Sequence, residues 1–263
     1  MSIEPMTARL AAAEAVAREA GQAALSWFRA PETITVKAKG RQDFVSQADG
    51  AVEALIRERL AARFPEDGFI GEEGGHDLDA KTNAGIWVVD PIDGTANFIS
   101  SIPVWCVSIA YVVGDEIELG VIYDPNREEV FVARRGRGAR CNGQPIRASR
   151  ARSLAEGTVG IGYSPRTTVA PLLGAIERLL GADGMYQCNG SGALMLAYVA
   201  AGRLLGYCEA HINAWDCLAG ILLVSEGGGW TSDFLGNGGL LKGNSIVAAA
   251  PGVAAALSRI AGY

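Results

Sequence analysis

Two periods of apolar recurrence run along this chain, and the switch between them marks out its elements. Over residues 7–28 the apolar positions recur at helical spacing among Ala, Glu and Arg, and Pro31 ends the pattern, which predicts an amphipathic helix. Residues 49–64 repeat it through Ala51, Leu55, Ile56 and Leu60 and stop at Pro65. Residues 37–42 between them are a polar stretch, and residues 74–83 a loop rich in Gly and Asp. Phe69-Ile70-Gly71 predicts a short strand, while Ile86-Trp87-Val88-Val89, apolar and β-branched, predicts a buried one. Segments 104–113, 117–123 and 129–133 are strand-like and separated by Gly/Asp and Asp-Pro-Asn turns. They predict an antiparallel meander that residues 135–140 continue through a hairpin.

Beyond residue 145 strands and helices alternate. Strands are expected at 158–161, 204–209 and 245–249, and helices at 169–180, 193–201 and 216–226. Such alternation predicts an α/β layer. The expectation is therefore one domain, 1–263, made of an α+β half (1–145) and an α/β half (146–263) that share an interface, a common address for an active site. No linker, low-complexity tract or internal repeat interrupts it.

Composition narrows the function. A chain that is 49% apolar can bury a sizeable core. Its net charge of −6 argues against nucleic acid as the main partner, because phosphate backbones select basic faces, whereas bound metal ions can still attract a small anionic substrate. Five scattered cysteines without a CxxC pair suit free thiols in a reducing cytoplasm. No apolar run approaches the ~20 residues of a membrane span, and the charged N-terminus is unlike a signal peptide, so a soluble cytoplasmic protein without a membrane partner is expected.

Candidate chemistry begins at Asp90-Pro91-Ile92-Asp93-Gly94-Thr95, directly after the buried strand. The spacing lets both carboxylates converge, with the Ile92 carbonyl between them: hard oxygen donors suited to Mg²⁺ or Mn²⁺. Gly94 and Thr95 then permit close backbone approach and a helix start that suits a phosphate. Glu72-Glu73 follows the strand at 69–71, and Asp216 opens the helix that ends at Gly227-Gly228-Gly229. Each piece also has an ordinary use, as a turn, a solvated loop or a helix N-cap, and Asp43 and Asp49 read equally well as turn and cap residues. With only His76 and His211, a phosphohistidine or serine-triad route has little material. His76 reads as exposed, and His211 as either pocket wall or packing.

Taken together, Glu-Glu after a strand, DPIDGTANF and WDCLAG closely resemble the inositol monophosphatase family, related to fructose-1,6-bisphosphatases and 3′-phosphonucleotide phosphatases. The resemblance spans essentially the whole chain and includes the hairpin ARRGRGARCNG. It implies a layered αβαβα sandwich and Mg²⁺-dependent hydrolysis of a small phosphate monoester, myo-inositol monophosphate first, with histidinol phosphate, a sugar phosphate or a 3′-phosphonucleotide as alternatives. By that resemblance Glu72, Asp90, Asp93, Asp216 and the Ile92 carbonyl hold up to three Mg²⁺, with Mn²⁺ as a substitute and Glu73 behind them. Thr95 and Asp49 would orient the attacking water, and the Gly94 and Thr95 amides would hold the phosphate.

The same resemblance sets Gly190, Ser191, Gly192 and Glu209 beside the alcohol; Gly192 departs from the family's Gly-Thr-Ala, and 209–213 from its common form. Arg166 reads as a solvated loop residue. A homodimer and lithium sensitivity are further family expectations, and a regulatory binding protein that keeps the fold is the rival of another class. Arg134, Arg135, Arg137 and Arg140 read as a solvated charged hairpin.

Overall fold

The computed structural model describes residues 3–40, 43–77 and 85–263; part of the expected loop at 74–83 and the end of the polar stretch at 37–42 lie outside them. The chain opens with α1 (Ile3–Phe28), a hairpin of β1 (Val36–Gly40) and β2 (Asp43–Ser46), and α2 (Gln47–Arg63). Next come β3 (Gly68–Gly71), β4 (Gly75–Asp77), β5 (Ile86–Asp93), the short α3 (Thr95–Ile99), β6 (Cys106–Val113), β7 (Glu116–Asp124), β8 (Glu129–Arg134), β9 (Ala139–Cys141) and β10 (Gln144–Pro145). The remainder holds β11 (Thr158–Ile161), α4 (Ala170–Leu180), β12 (Met185–Gln187), α5 (Gly192–Ala200), β13 (Gly206–Ile212), α6 (Ala214–Glu226), β14 (Trp230–Thr231), α7 (Gly239–Lys242), β15 (Asn244–Ala249) and α8 (Ala254–Ala261).

These elements stack in five layers. α1 and α2 cover one face of an eight-stranded sheet ordered β10-β9-β8-β7-β6-β5-β3-β4, antiparallel apart from the β3/β5 pair. α5 and α6 fill the space between it and a five-stranded sheet ordered β12-β11-β13-β15-β14, whose outer face carries α4 and α8. The expected meander is β6 to β8, continued through the hairpin into β9; β5 and β10 extend the antiparallel run at either end.

Side-chain alternation distributes the core. Along β5 and β6, Trp87, Val89, Val107, Ile109 and Tyr111 pack toward α1 and α2, whereas Val88, Cys106, Ala110 and Val112 pack toward α5 and α6. In the second sheet Tyr207, Ile246 and Ala248 face inward while Cys208, Val247 and Ala249 face α4 and α8. α6 is apolar all round because it meets sheets on both sides. It lies so close to β7 that a Cβ on Gly120 would come within 2.6 Å of the Ala219 carbonyl oxygen.

The polar stretch before α2 proves to include a β-hairpin, and α8 follows the last strand where no helix was expected. Asp43 opens β2 and His76 lies in β4, both with side chains outside the description. Among the described residues no helix is long and apolar enough to cross a membrane.

Candidate active site

β5 runs four residues beyond its apolar stretch because Pro91 sits in a bulge, where no ladder N–H is needed. Asp90 pairs with Ser108 and Asp93 with Cys106, three residues on one strand against two on the other. In a regular strand Asp90 and Asp93 would point to opposite faces; the extra residue turns both toward α5 and α6. Asp90 then accepts from the Ile92 amide at 2.9 Å. Glu72 arrives from the neighbouring parallel strand β3, its amide donating to the Val89 carbonyl at 3.2 Å. Asp216 comes from α6.

Glu72, Asp90 and Asp216 each place a carboxylate oxygen within 4.8 Å of the others. Asp216 is not the N-cap: Asn213 is, and Asp216 occupies the third helical position, accepting from the Asn213 amide at 3.2 Å. Asp49 repeats the pattern in α2, where it accepts from the Ser46 amide at 2.8 Å and the Ser46 hydroxyl at 2.5 Å. Its second oxygen accepts from the Thr95 hydroxyl at 3.1 Å, and the Ile92 carbonyl is a competing acceptor at 3.1 Å.

Gly94, the N-cap of α3, has φ +100°, and a Cβ there would lie 2.9 Å from the Val104 carbonyl oxygen. Only glycine fits. Phe28, Phe98 and Trp105 pack together behind this turn, their ring centroids 5.0–5.5 Å apart. Asn97 fastens the turn to the loop before α5 by donating to the Val104 carbonyl (2.8 Å) and the Asn189 carbonyl (2.7 Å).

Asp93 stands apart from the three-carboxylate group. One of its oxygens accepts from the Ser191 hydroxyl at 2.5 Å and the Ala193 amide at 2.7 Å, at the start of α5. Ser191 lines the cavity with its only hydroxyl hydrogen given to Asp93. That cavity, of ≈ 150 Å³, is walled by Asp93, Ser191, Tyr207, Glu209 and Asp216, with Gly190 and Gly192 in its lining. Glu209 accepts a short hydrogen bond from the Tyr207 hydroxyl. A Cβ on Gly162 would strike both groups, and one on Gly190 would meet the Asn97 amide nitrogen at 2.8 Å.

Burial and mutual repulsion make the carboxylates reluctant to ionise. Asp90 is pushed well up, by burial first and then by the charges of Glu72, Asp93 and Asp216. Burial and then Asp216 push Asp93 to about 7, against the donors Ser191, Ala193 and Gly192. Asp216 and Asp49 are likewise raised by burial. Glu209 reaches about 8 through burial, with Tyr207 opposing the shift and Asp216 and Asp93 adding to it.

This donor set fits a hard divalent cation. The converging groups are carboxylates, with no imidazole or thiolate among them, and a cation would relieve the repulsion that raises Asp90. Cys106, whose thiol is 3.8 Å from Asp93, stays protonated because burial raises it.

Some of this was absent from the sequence expectations. Tyr207, Asn97, Ser46 and Cys106 are brought to the site by tertiary packing. Ser46 alone carried a local signal, the Ser-x-x-Asp spacing before a helix. Arg166, expected as a solvated loop residue, is exposed, yet its charge acts on Glu209 and Asp216 and favours their ionised forms. His211 contacts the Lys242 carbonyl at 3.1 Å and does not line the cavity.

Comparison with known proteins identifies the fold and the family. The chain is 38% identical to the Nus factor SuhB of Escherichia coli K12 over 244 residues, 92% of this chain and 91% of that protein. It is 37% identical to an inositol-1-monophosphatase of Rhizobium meliloti, again over 244 residues, 92% of this chain and 91% of the other. The crystal structure of the extragenic suppressor protein suhB from Bartonella henselae superposes with a TM-score of 0.91 at 33% identity, covering 97% of this chain and 98% of that one. A model of the inositol monophosphatase family matches residues 6–261. With that match across nearly its whole length, the chain belongs to the inositol monophosphatase family.

Proposed function

We propose that this chain is a Mg²⁺-dependent phosphatase of small polyol phosphates, with myo-inositol monophosphate the first substrate to test. The observation that carries this is the convergence of Glu72, Asp90 and Asp216 within 4.8 Å. Glu72, Asp90, the Ile92 carbonyl, Asp93 and Asp216 would hold the ions, Mg²⁺ or Mn²⁺. When bound, such ions neutralise the phosphate ester and lower the pKa of water.

The chain's own groups then divide the work. Thr95 donates to Asp49 and is left with lone pairs for a water hydrogen, so a proton can pass through its Oγ1 to Asp49. Burial raises Asp49 and so makes it a better acceptor. The turn at Gly94 and Thr95 presents backbone amides for phosphate oxygens. Tyr207 occupies one oxygen of Glu209, which leaves the other to hydrogen-bond with a substrate hydroxyl. The ≈ 150 Å³ cavity lined by Asp93, Ser191, Glu209 and Asp216 offers hydroxyl-binding groups beside the carboxylates, which supports a polyol phosphate. The name of the Rhizobium meliloti relative, inositol-1-monophosphatase, supports the same substrate class.

The deciding experiment is phosphate release at one Mg²⁺ concentration from inositol-1-phosphate, histidinol phosphate, a sugar phosphate and a 3′-phosphonucleotide. The proposal expects inositol-1-phosphate to have the highest kcat/KM. No Mg²⁺-dependent release from any of them would overturn it. A second role, by binding a macromolecule, is favoured by the name Nus factor carried by the Escherichia coli relative. Capture from lysate on an Asp93→Asn variant tests that role: a stoichiometric partner supports it, and recovery of the bait alone counts against it.

A further inference from the structure

α1 and the β8–β9 hairpin enclose a groove of ≈ 510 Å³ that shares no lining residue with the carboxylate cavity. Leu10 and Val132, partly buried against the core under α1, form its apolar floor. Arg134, Arg137 and Arg140 rim it, in a chain whose net charge is −6. The hairpin is held rigidly. Glu226 accepts from the Gly136 amide at 2.7 Å and the Gly138 amide at 2.6 Å, and both glycines have left-handed φ of +71° and +77°. Arg134 donates to the Thr7 hydroxyl at 2.8 Å, which ties the hairpin to α1.

Charge is sorted within this cluster. Arg135 turns away to Glu116 at 2.5 Å and Glu118 at 3.7 Å. Glu14, the carboxylate in the groove lining, pairs with Arg18 at 3.3 Å. Arg137 and Arg140 make no ion pair among the described residues. A fixed recess therefore offers, beside an apolar floor, two guanidinium groups that form no ion pair among the described residues.

We propose that this groove docks an acidic segment of a partner protein, seating an apolar side chain on Leu10 and Val132 and carboxylates against Arg137 and Arg140. Bidentate guanidinium–carboxylate contact suits that arrangement, and the preformed hairpin lowers the ordering cost of binding. Single-stranded nucleic acid fits less well, because among the described residues no aromatic side chain lines the groove to stack a base. A lipid surface also fits less well, since Leu10 and Val132 sit recessed rather than protruding.

The test is fluorescence anisotropy of the full chain with a labelled peptide of glutamates and leucines, beside the same peptide with serine for leucine, a single-stranded RNA and anionic vesicles. The expected result is saturable binding of the Glu/Leu peptide, weaker for the serine version and weakened further by salt. The double variant Arg137→Glu/Arg140→Glu should lose about tenfold in affinity, while Arg135→Glu keeps it. Melting temperature and phosphate release of the double variant report its folding independently of docking. No saturable binding, equal binding by the double variant, or tighter binding of RNA or vesicles would overturn the proposal.

Discussion

Ser191 gives its hydroxyl hydrogen to Asp93 at 2.5 Å, and the same oxygen accepts from the Leu194 amide at 3.2 Å, so one side chain both caps α5 and steadies a carboxylate of β5. Ser191→Ala should therefore act on stability and on metal together. Loss of the cap should cost about 1 kcal/mol, read as a lower melting temperature. Freed of its donor, Asp93 should hold Mg²⁺ less well, raising the concentration for half-maximal phosphate release about tenfold. An unchanged Mg²⁺ dependence would show that the Asp93–Ser191 bond serves the helix alone.

Thr95 lies between Asp49 and the Ile92 carbonyl, each 3.1 Å from its hydroxyl. If a proton leaves the attacking water along this path, Thr95→Ala should lower kcat by about 10²-fold or more. Its Mg²⁺ half-saturation should move little, and Thr95→Ser should restore most of the rate. A serine variant as slow as the alanine variant would contradict the path.

Tyr207 and Glu209 make the substrate preference testable. Tyr207 is buried and its hydroxyl fixes Glu209. In Tyr207→Phe the ratio of kcat/KM for inositol-1-phosphate to that for phenyl phosphate, which brings no alcohol hydroxyl, should fall about tenfold, on the scale of one hydrogen bond. An unchanged ratio would detach Glu209 from substrate choice.

Strong periodic segments made much of this fold legible in the sequence. The apolar face of α1, the β-branched run of β5 and the meander of β6 to β8 each carry their pattern locally. What stayed illegible depends on contacts distant in sequence or on very short elements. β4, β12 and β14 are edge strands of two or three residues, too short to show alternation. α8 is an alanine-rich stretch whose helix is stabilised by packing on β13 and β15. At the site, DPIDGT announces the carboxylates, yet the bulge that aims them is defined only by pairing with β6, and Tyr207 reaches Glu209 through the next-but-one position of a strand.

Glu209 also predicts a pH dependence. Its carboxyl, 4.5 in the ordinary state, is pushed up to about 8, so the folded chain holds that proton more tightly than the unfolded one. The stability linked to it is fully present below the ordinary value and is lost as pH rises through about 8. In chelator-treated protein the melting temperature should therefore fall between about pH 5 and pH 8, and Glu209→Gln should flatten part of that fall. Superimposable curves for the two proteins would contradict the shift.

The central claim is that Asp90 and its neighbours hold the ions on which hydrolysis depends. Calorimetric Mg²⁺ titration, with phosphate release from inositol-1-phosphate followed on the same samples, tests it most directly in the native chain and in Asp90→Asn. The account predicts saturable binding and Mg²⁺-dependent turnover in the native chain. In the variant it predicts Mg²⁺ affinity and turnover both down by about two orders of magnitude, the scale expected when a carboxylate charge is lost from a metal centre. Turnover by Asp90→Asn at the native rate and the native Mg²⁺ requirement would contradict it.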